Sequence, residues 1–355
     1  MRALTTRPGQ PGSTKVETVD DPVAGAGELL VEGLAVGICG TDREIVGGEY
    51  GDPPPGQERL VLGHESLGRV LEAPDGSGFA PGDHVVGIVR RPDPEPCGAC
   101  ARDEWDMCRN GRYTERGIKE IDGYASERWV VPTDFAVPVD ATLGLCGVLL
   151  EPTSVVAKAW EQVERIGARS WFEPERVLVT GAGPIGLLAA MIGLQRGLDV
   201  HVLDLAADGP KPELVRELGA TYHHDGLDAA TRAGEPDVVI EATGAGRLVF
   251  DATATTSSYG LVCLTGVSSG GHTIPVDAGA LNRELVLEND VVVGSVNANR
   301  RHYAAAADAL AAADRDWLRR LITRVEPLDN HAEALDRRDG DIKVVLGLAA
   351  EVDGW

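Results

Sequence analysis

Residues 176–196 set a strand, a glycine turn and a helix end to end: RVLVT, then GAGPIG, then LLAAMIGLQR. A short aliphatic run suits a strand covered on both faces, and the segment after the turn carries a helical pattern. The pattern G-x-G-x-x-G is common in glycine-rich turns. Between a strand and a helix it has a physical purpose. Gly181, Gly183 and Gly186 let the chain turn tightly and approach a ligand, while Pro184 and Ile185 open a helix whose free N–H groups face a pyrophosphate. The texture continues with VHVLDL, KPELVRELGA, PDVVIEATG, YGLVCLTGV and DVVVGSV. Strands alternating with helices predict a parallel sheet with crossover helices, here one that binds a dinucleotide. A purely structural glycine turn is the alternative. Asp204 ends the next strand, where a carboxylate accepts hydrogen bonds from an adenosine ribose and repels a 2′-phosphate. The residues after it, LAADGP, hold no arginine, so NAD is favoured over NADP.

A chain of 355 residues exceeds one such domain, so two are predicted. The N-terminal half is rich in Gly, Pro and short alternating apolar runs such as GELLVEGLAVGI, signals of an irregular, barrel-like β region. HYAAAADALAAADRDWLRRLI reads as a helical stretch and DIKVVLGLAAE as a closing strand. A net charge of −23 argues against nucleic acid, whose phosphates need clustered Lys and Arg. Only five of the 33 basic residues are lysines, which fits either a GC-rich genome or an acidic surface kept hydrated in a high-salt cytoplasm. No apolar run approaches the roughly 20 residues of a membrane span, and MRALTTRPGQPG lacks the apolar core of a signal peptide. Six cysteines in such a chain read as reduced thiols or metal ligands, so the expected compartment is the cytoplasm.

Three of those cysteines, Cys97, Cys100 and Cys108, lie in PCGACARDEWDMC with spacing C-x₂-C-x₇-C. This is most of a structural zinc loop, in which thiolates hold a tetrahedral ion. Upstream and downstream stand Cys39 in GICGTD, His64 and Glu65 in LGHESLG, and Glu151 in LLEPTS. A thiolate, an imidazole and carboxylates beside a nucleotide domain form a mixed donor set that suits a catalytic zinc with an open position. Gly63 and Gly68 are read as letting the chain approach that ion closely. Cys146 and Cys263 lie in apolar surroundings and are read as packing residues.

GICGTDREIVGG (37–48), LVLGHE (60–65), VRRP (89–92), YTERGI (113–118), DGYASE (122–127), EP (151–152), EATG (241–244) and GSVN followed by RRHY (294–303) carry a wider likeness. Over essentially its full length the chain resembles the zinc-dependent medium-chain dehydrogenases/reductases, and among them the archaeal-type glucose (aldose) 1-dehydrogenases. The resemblance implies an α/β protein: a GroES-like irregular β-barrel catalytic domain at 1–153 and 301–355, and a Rossmann doubly wound parallel sheet at 154–300. It implies Cys39, His64, Glu65 and Glu151 as the catalytic zinc set and Thr41 as a proton relay. Glu115, Glu151, Asn297 and His302 would meet the sugar, with Thr41. Thr243 and Asn297 would join the cofactor site, and Arg90, Arg91 and Glu44 are neighbours of undefined role. The family's lobe zinc has four cysteines spaced C-x₂-C-x₂-C-x₇-C. Here the first position is Pro94, and Asp93 or Glu95 could supply an oxygen in its place. An occupied lobe and a metal-free lobe with three reduced thiols both remain open.

The activity implied is oxidation of an aldose at C1 to the lactone, with hydride transfer to NAD(P)⁺. A polyol or secondary-alcohol dehydrogenase on the same scaffold would share the zinc and cofactor sites without needing Glu115, Asn297 and His302. A catalytically silent structural protein would have lost zinc ligands or the relay hydroxyl, and this sequence keeps both. The resemblance further implies a homodimer or homotetramer joined through the cofactor sheet's edge, with a small sugar as partner and neither nucleic acid nor membrane.

Overall fold

The computed structural model describes residues 1–268, 270–271 and 273–352. The chain divides into two compact units, Met1–Ser154 with Asn297–Trp355, and Val155–Val296. The first boundary falls one residue later than the sequence places it and the second four residues earlier, so Asn297 and Asn299 belong with the first unit.

The first unit is organised around the strand Glu28–Ile38, which pairs antiparallel with Glu65–Glu72 on one side and Lys343–Gly347 on the other. Strands Ala136–Val139, His84–Gly87, Arg128–Pro132 and Ile322–Pro327 complete a seven-stranded sheet. Register shifts at Leu30/Val31 and Gly33/Ala35 mark bulges that bend the central strand, as expected of a barrel-like sheet. Gly37 lies opposite Glu65 and opposite Val345, so residues distant in sequence meet at one end of this strand. A side chain at Gly37 is impossible without rearrangement, because its Cβ would stand 2.0 Å from Glu65 Oε2. Leu29, Val31, Ile45, Leu60, Tyr124 and Trp129 lie in the core beneath the sheet. Full burial of such side chains stabilises by about 1.5–3 kcal/mol each. The glycines before and after His64 are required by this packing. A Cβ at Gly63 would meet Val36 Cγ1 at 2.7 Å, and one at Gly68 would meet Val31 Cγ1 at 2.4 Å.

The second unit is a six-stranded, all-parallel sheet in the order Thr221–His223, Asp199–Leu203, Arg176–Thr180, Val238–Glu241, Leu261–Leu264, Val291–Gly294. The strand order reverses direction between Arg176–Thr180 and Val238–Glu241, the switch point outside which such sheets bind their ligands.

Two sequence expectations change. The alanine-rich tail forms two helices, Arg300–Ala311 and Arg315–Leu321. Asp314 stops the first and caps the second, its carboxylate accepting from Asp316 N–H at 2.8 Å and Trp317 N–H at 3.0 Å. A strand, Ile322–Pro327, follows, beginning at the last residue of the stretch expected to be helical and continuing where no element is expected. Secondly, Ala141–Gly167 is long and apolar enough to cross a membrane, but 78% of its apolar window is buried in the protein, as in a core helix.

Candidate metal and cofactor sites

Cys39 follows the last residue of the central strand and caps the helix Gly40–Val46. Its N–H donates to Asp42 Oδ2 at 2.8 Å, which fixes the direction in which the chain turns. Donor atoms of Cys39, His64 and Glu65 then lie within 4.8 Å of one another. His64 and Glu65 are 5% and 2% exposed, so the site is largely shielded from water. The imidazole Nδ1 stands 3.4 Å from Asp42 Oδ1, which leaves Nε2 to face an ion. Burial opposes a charge on His64, but the Asp42 carboxylate outweighs it and holds the imidazole well above its ordinary range. Lys343 reaches Glu65 from the far end of the chain, its Nζ 2.7 Å from Oε1 and 2.6 Å from Oε2. One sulfur, one imidazole and a carboxylate, with acid in excess of base around them, fit a zinc ion.

Glu151 lies in the first turn of the helix Leu150–Gly167, outside the converging three. Burial pushes its carboxyl up to about 7; the His64 and Lys343 charges work against the rise, and Glu65 and Asp42 add to it. Thr41 and Glu44 sit half-buried on the helix after Cys39.

A second group, Cys97, Cys100 and Cys108, also converges within 4.8 Å, with Cys97 and Cys100 Sγ 3.6 Å apart. The Arg109 N–H donates to Cys97 Sγ at 3.4 Å, and with other backbone donors lowers that thiol to about 6. Asp93 lies outside the converging three. It is 2% exposed; its Oδ1 accepts from Glu95 N–H at 2.8 Å, and its Oδ2 has no hydrogen-bond partner among the described residues. Glu95 is exposed and pairs with Arg112 at 2.7 Å. Cys146 and Cys263 are buried thiols pushed up by that burial to about 11 and about 12, consistent with packing.

Glu115 and Asn297 meet. Glu115 pairs with Arg90 across two short strands, and its Oε1 accepts from Arg90 Nε at 3.0 Å, Arg90 Nη2 at 2.9 Å and Asn297 Nδ2 at 2.7 Å. Tyr113 stacks on the Arg90 guanidinium at 3.7 Å. Asn297 has φ 64°, a left-handed conformation tolerated by asparagine and enforced here by its contacts. His302 is placed differently from a free reader of hydroxyls. It is 2% exposed at the third position of its helix, and its Nδ1 accepts from Asn299 N–H at 3.1 Å. Arg91 is structural, stacked on Phe135 at 4.2 Å.

In the parallel-sheet unit, Gly181 has φ 93°, and a Cβ at Gly186 would stand 1.8 Å from Gly181 O. A Cβ at Gly183 would meet nothing within 4 Å, so the loop leaves open space at the start of the helix Pro184–Gln195. That helix end has no side-chain cap, and its free N–H groups fit a pyrophosphate. Asp204 Oδ2 accepts from Ala182 N–H at 2.7 Å, tying the acid to the glycine turn. Thr243 is exposed, and its N–H donates to Glu241 Oε1 at 2.8 Å. The absence of an arginine after Asp204 is not the whole of its electrostatics. Lys211 Nζ lies 3.1 Å from both Asp204 oxygens and offsets the charge that was to exclude a phosphate.

Residues 144–348 match the family of glucose dehydrogenase C-termini, and residues 25–141 match the alcohol dehydrogenase GroES-like domain. The chain belongs to the glucose dehydrogenase family. A glucose 1-dehydrogenase of Methanocella arvoryzae is 39% identical, covering 99% of this chain and 100% of that protein. One from Thermoproteus tenax is 40% identical over 98% of this chain and 99% of its own length. The structure of Haloferax mediterranei glucose dehydrogenase in complex with NADP, Zn and gluconolactone superposes with a TM-score of 0.90 at 32% identity, covering 99% of this chain and 100% of that one. Family members thus share both units.

Five residues are not singled out by the sequence: Asp42, Lys211 and Lys343, and Asp106 and Asn299, which bond to each other at 2.7 Å. Asp42 had a local signal, an acid three residues after Cys39 at a helix start. Lys343 had a fainter one, a single charge inside the apolar strand Lys343–Gly347.

Proposed function

We propose that the protein oxidises an aldose, D-glucose foremost, at C1 to the lactone with hydride transfer to NAD(P)⁺. The observation that carries this is the convergence of Cys39, His64 and Glu65 in a chain 39% identical to a glucose 1-dehydrogenase. Those three would hold a catalytic zinc, with Glu151 a further carboxylate beside them. The zinc supplies Lewis acidity that eases loss of the C1 hydroxyl proton, and the dinucleotide accepts the hydride. Thr41 would pass the proton outward. Glu115 would receive a sugar hydroxyl on Oε2, since Oε1 is occupied by Arg90 and Asn297. Asn297 and His302 would complete the sugar contacts, and Asn297 and Thr243 would also flank the cofactor. An NAD(P)⁺-reduction assay over aldoses, polyols and simple alcohols, with and without chelator, tests the reading. Chelator-sensitive activity on glucose supports it, and activity on polyols alone replaces it with the polyol reading.

Cys97, Cys100 and Cys108 would hold a structural zinc with an oxygen from Asp93, a buried carboxylate whose Oδ2 has only the longer Arg112 Nε contact at 3.6 Å to give up. The exposed Val286 and Leu287 beside the edge strand Val291–Gly294 support a homodimer or homotetramer joined there. A monomer in native mass spectra excludes that association. The thiols and the family support a cytoplasmic enzyme; secretion of the protein in fractionated cells would refute it.

Asp204 makes NAD⁺ the preferred cofactor, and Lys211 makes the preference shallow. Lys211→Ala should leave kcat/KM with NAD⁺ near wild type and lower that with NADP⁺ about tenfold, the scale of one hydrogen bond to a charged group. Asp204→Ser should move the ratio the other way. An unchanged ratio in both variants removes the pair from cofactor choice.

A further inference from the structure

Asp106 lies in the short turn Trp105–Met107, between Cys100 and Cys108, and is 4% exposed. Two hydrogen-bonded lines leave it. Its backbone carbonyl accepts from Arg90 Nη1 at 3.1 Å, and Arg90 in turn holds Glu115 Oε1. Its carboxylate Oδ1 accepts from Asn299 Nδ2 at 2.7 Å. Asn299 caps the helix Arg300–Ala311: its Oδ1 accepts from Arg301 N–H at 3.2 Å, while its own N–H donates to His302 Nδ1. Asn299 Nδ2 also reaches Asp103 O at 3.4 Å, and Arg300 lies over the Trp105 ring at 5.1 Å. The cysteine lobe is thereby fastened to the residues on both lines. Asn299 is 2% exposed and Arg90 6%, so neither can exchange these partners for water without opening the structure.

We propose that Asp106 is a positioning residue for sugar selection, setting the helix start that carries Asn297 and His302 against the Arg90–Glu115 pair. This rests on the sugar-reading roles proposed above for Glu115, Asn297 and His302. A lobe that served stability alone would make its contacts within itself. Here the residue between two of its cysteines ends on both arms of the sugar cluster. The lobe is thus a gauge for the pocket: displacing Asp106 moves the acceptor and the histidine relative to each other while leaving Cys39, His64 and Glu65 in place.

The test measures KM and kcat for glucose, the affinity for gluconolactone by calorimetry, and the melting temperature, in Asp106→Ala and Asp106→Asn. Asparagine keeps an Oδ1 acceptor for Asn299, and alanine does not. Asp106→Ala should raise the glucose KM and weaken lactone binding by about tenfold, the loss of one charge-assisted hydrogen bond, with kcat within about threefold of wild type. Asp106→Asn should recover most of that loss. Should the alanine variant fail to fold, Asn299→Ser keeps a capping oxygen, drops the donor to Asp106, and should show the same rise in KM. A lower melting temperature with unchanged KM and lactone affinity in Asp106→Ala or Asn299→Ser overturns the proposal, as does an asparagine variant no better than alanine. Wild-type enzyme that binds no lactone overturns the functional reading instead, and this inference with it.

Discussion

Cys39→Ala and His64→Ala should each lower turnover of every alcohol tested by at least about a thousandfold, the rate equivalent of some 4 kcal/mol of lost transition-state stabilisation. Both side chains belong to the group of donors that converges at the central strand's end. Asp42 aligns both: it accepts the Cys39 N–H and faces the His64 ring. Losing either donor therefore leaves an incomplete site with a buried carboxylate beside it. Binding of ADP-ribose should persist, because Gly181, Gly183, Gly186 and Asp204 lie in the other unit. Native mass spectrometry should count two zinc ions per subunit in the wild type and one in the variants, the remaining ion belonging to the cysteine lobe. A variant that keeps both its zinc count and its turnover would remove these residues from the chemistry.

Glu115→Ala should act twice. Its carboxylate forms a buried ion pair with Arg90, the two side chains each 7% exposed, so truncation leaves a guanidinium without its counter-ion in a dry site. Breaking such a pair typically destabilises by about 3–5 kcal/mol. The second effect is on the sugar: kcat/KM for the best aldose should fall roughly ten- to a hundredfold, while a small alcohol is spared. The two effects separate in Arg90→Met/Glu115→Leu, in which apolar groups of similar volume replace both charges. That double variant should regain most of the melting temperature and none of the aldose preference. A Glu115→Ala protein as stable as wild type would contradict the buried pair. An unchanged ranking of aldoses would contradict the sugar contact.

What could be read from the sequence was what the sequence holds close together. GAGPIG with its flanking strand and helix lies within some twenty residues, and the structure forms it as read. Cys39 and His64 were legible because each sits in a short motif with distinctive neighbours. Lys343 was not, because its meaning comes from Glu65, 278 residues away in sequence, through the pairing of two strands with a third. Asp106 and Asn299 were hidden for the same reason, 193 residues apart, and their types are ordinary in a turn and a helix cap. His302 was read as facing a ligand because its motif does so in the resemblance. The capping bond to Asn299 depends on where the helix begins, and element boundaries are what periodicity resolves least well. The partner of Asp204 is not legible in the turn that follows it, because Lys211 lies seven residues on, in the next helix.

The discontinuous unit has a consequence for how the protein is made. The central strand Glu28–Ile38 waits for its neighbour Lys343–Gly347, which is synthesised only after the whole segment Val155–Val296. The segment Val155–Val296 is continuous and can fold while the chain is still growing. Until Lys343 is synthesised Glu65 lacks the lysine that neutralises it, and the nascent sheet carries an unpaired edge beside Cys39. The metal cluster is therefore assembled late, on a chain whose cofactor half can already stand, and premature termination before Lys343 would release a dinucleotide-binding fragment with no finished chemistry.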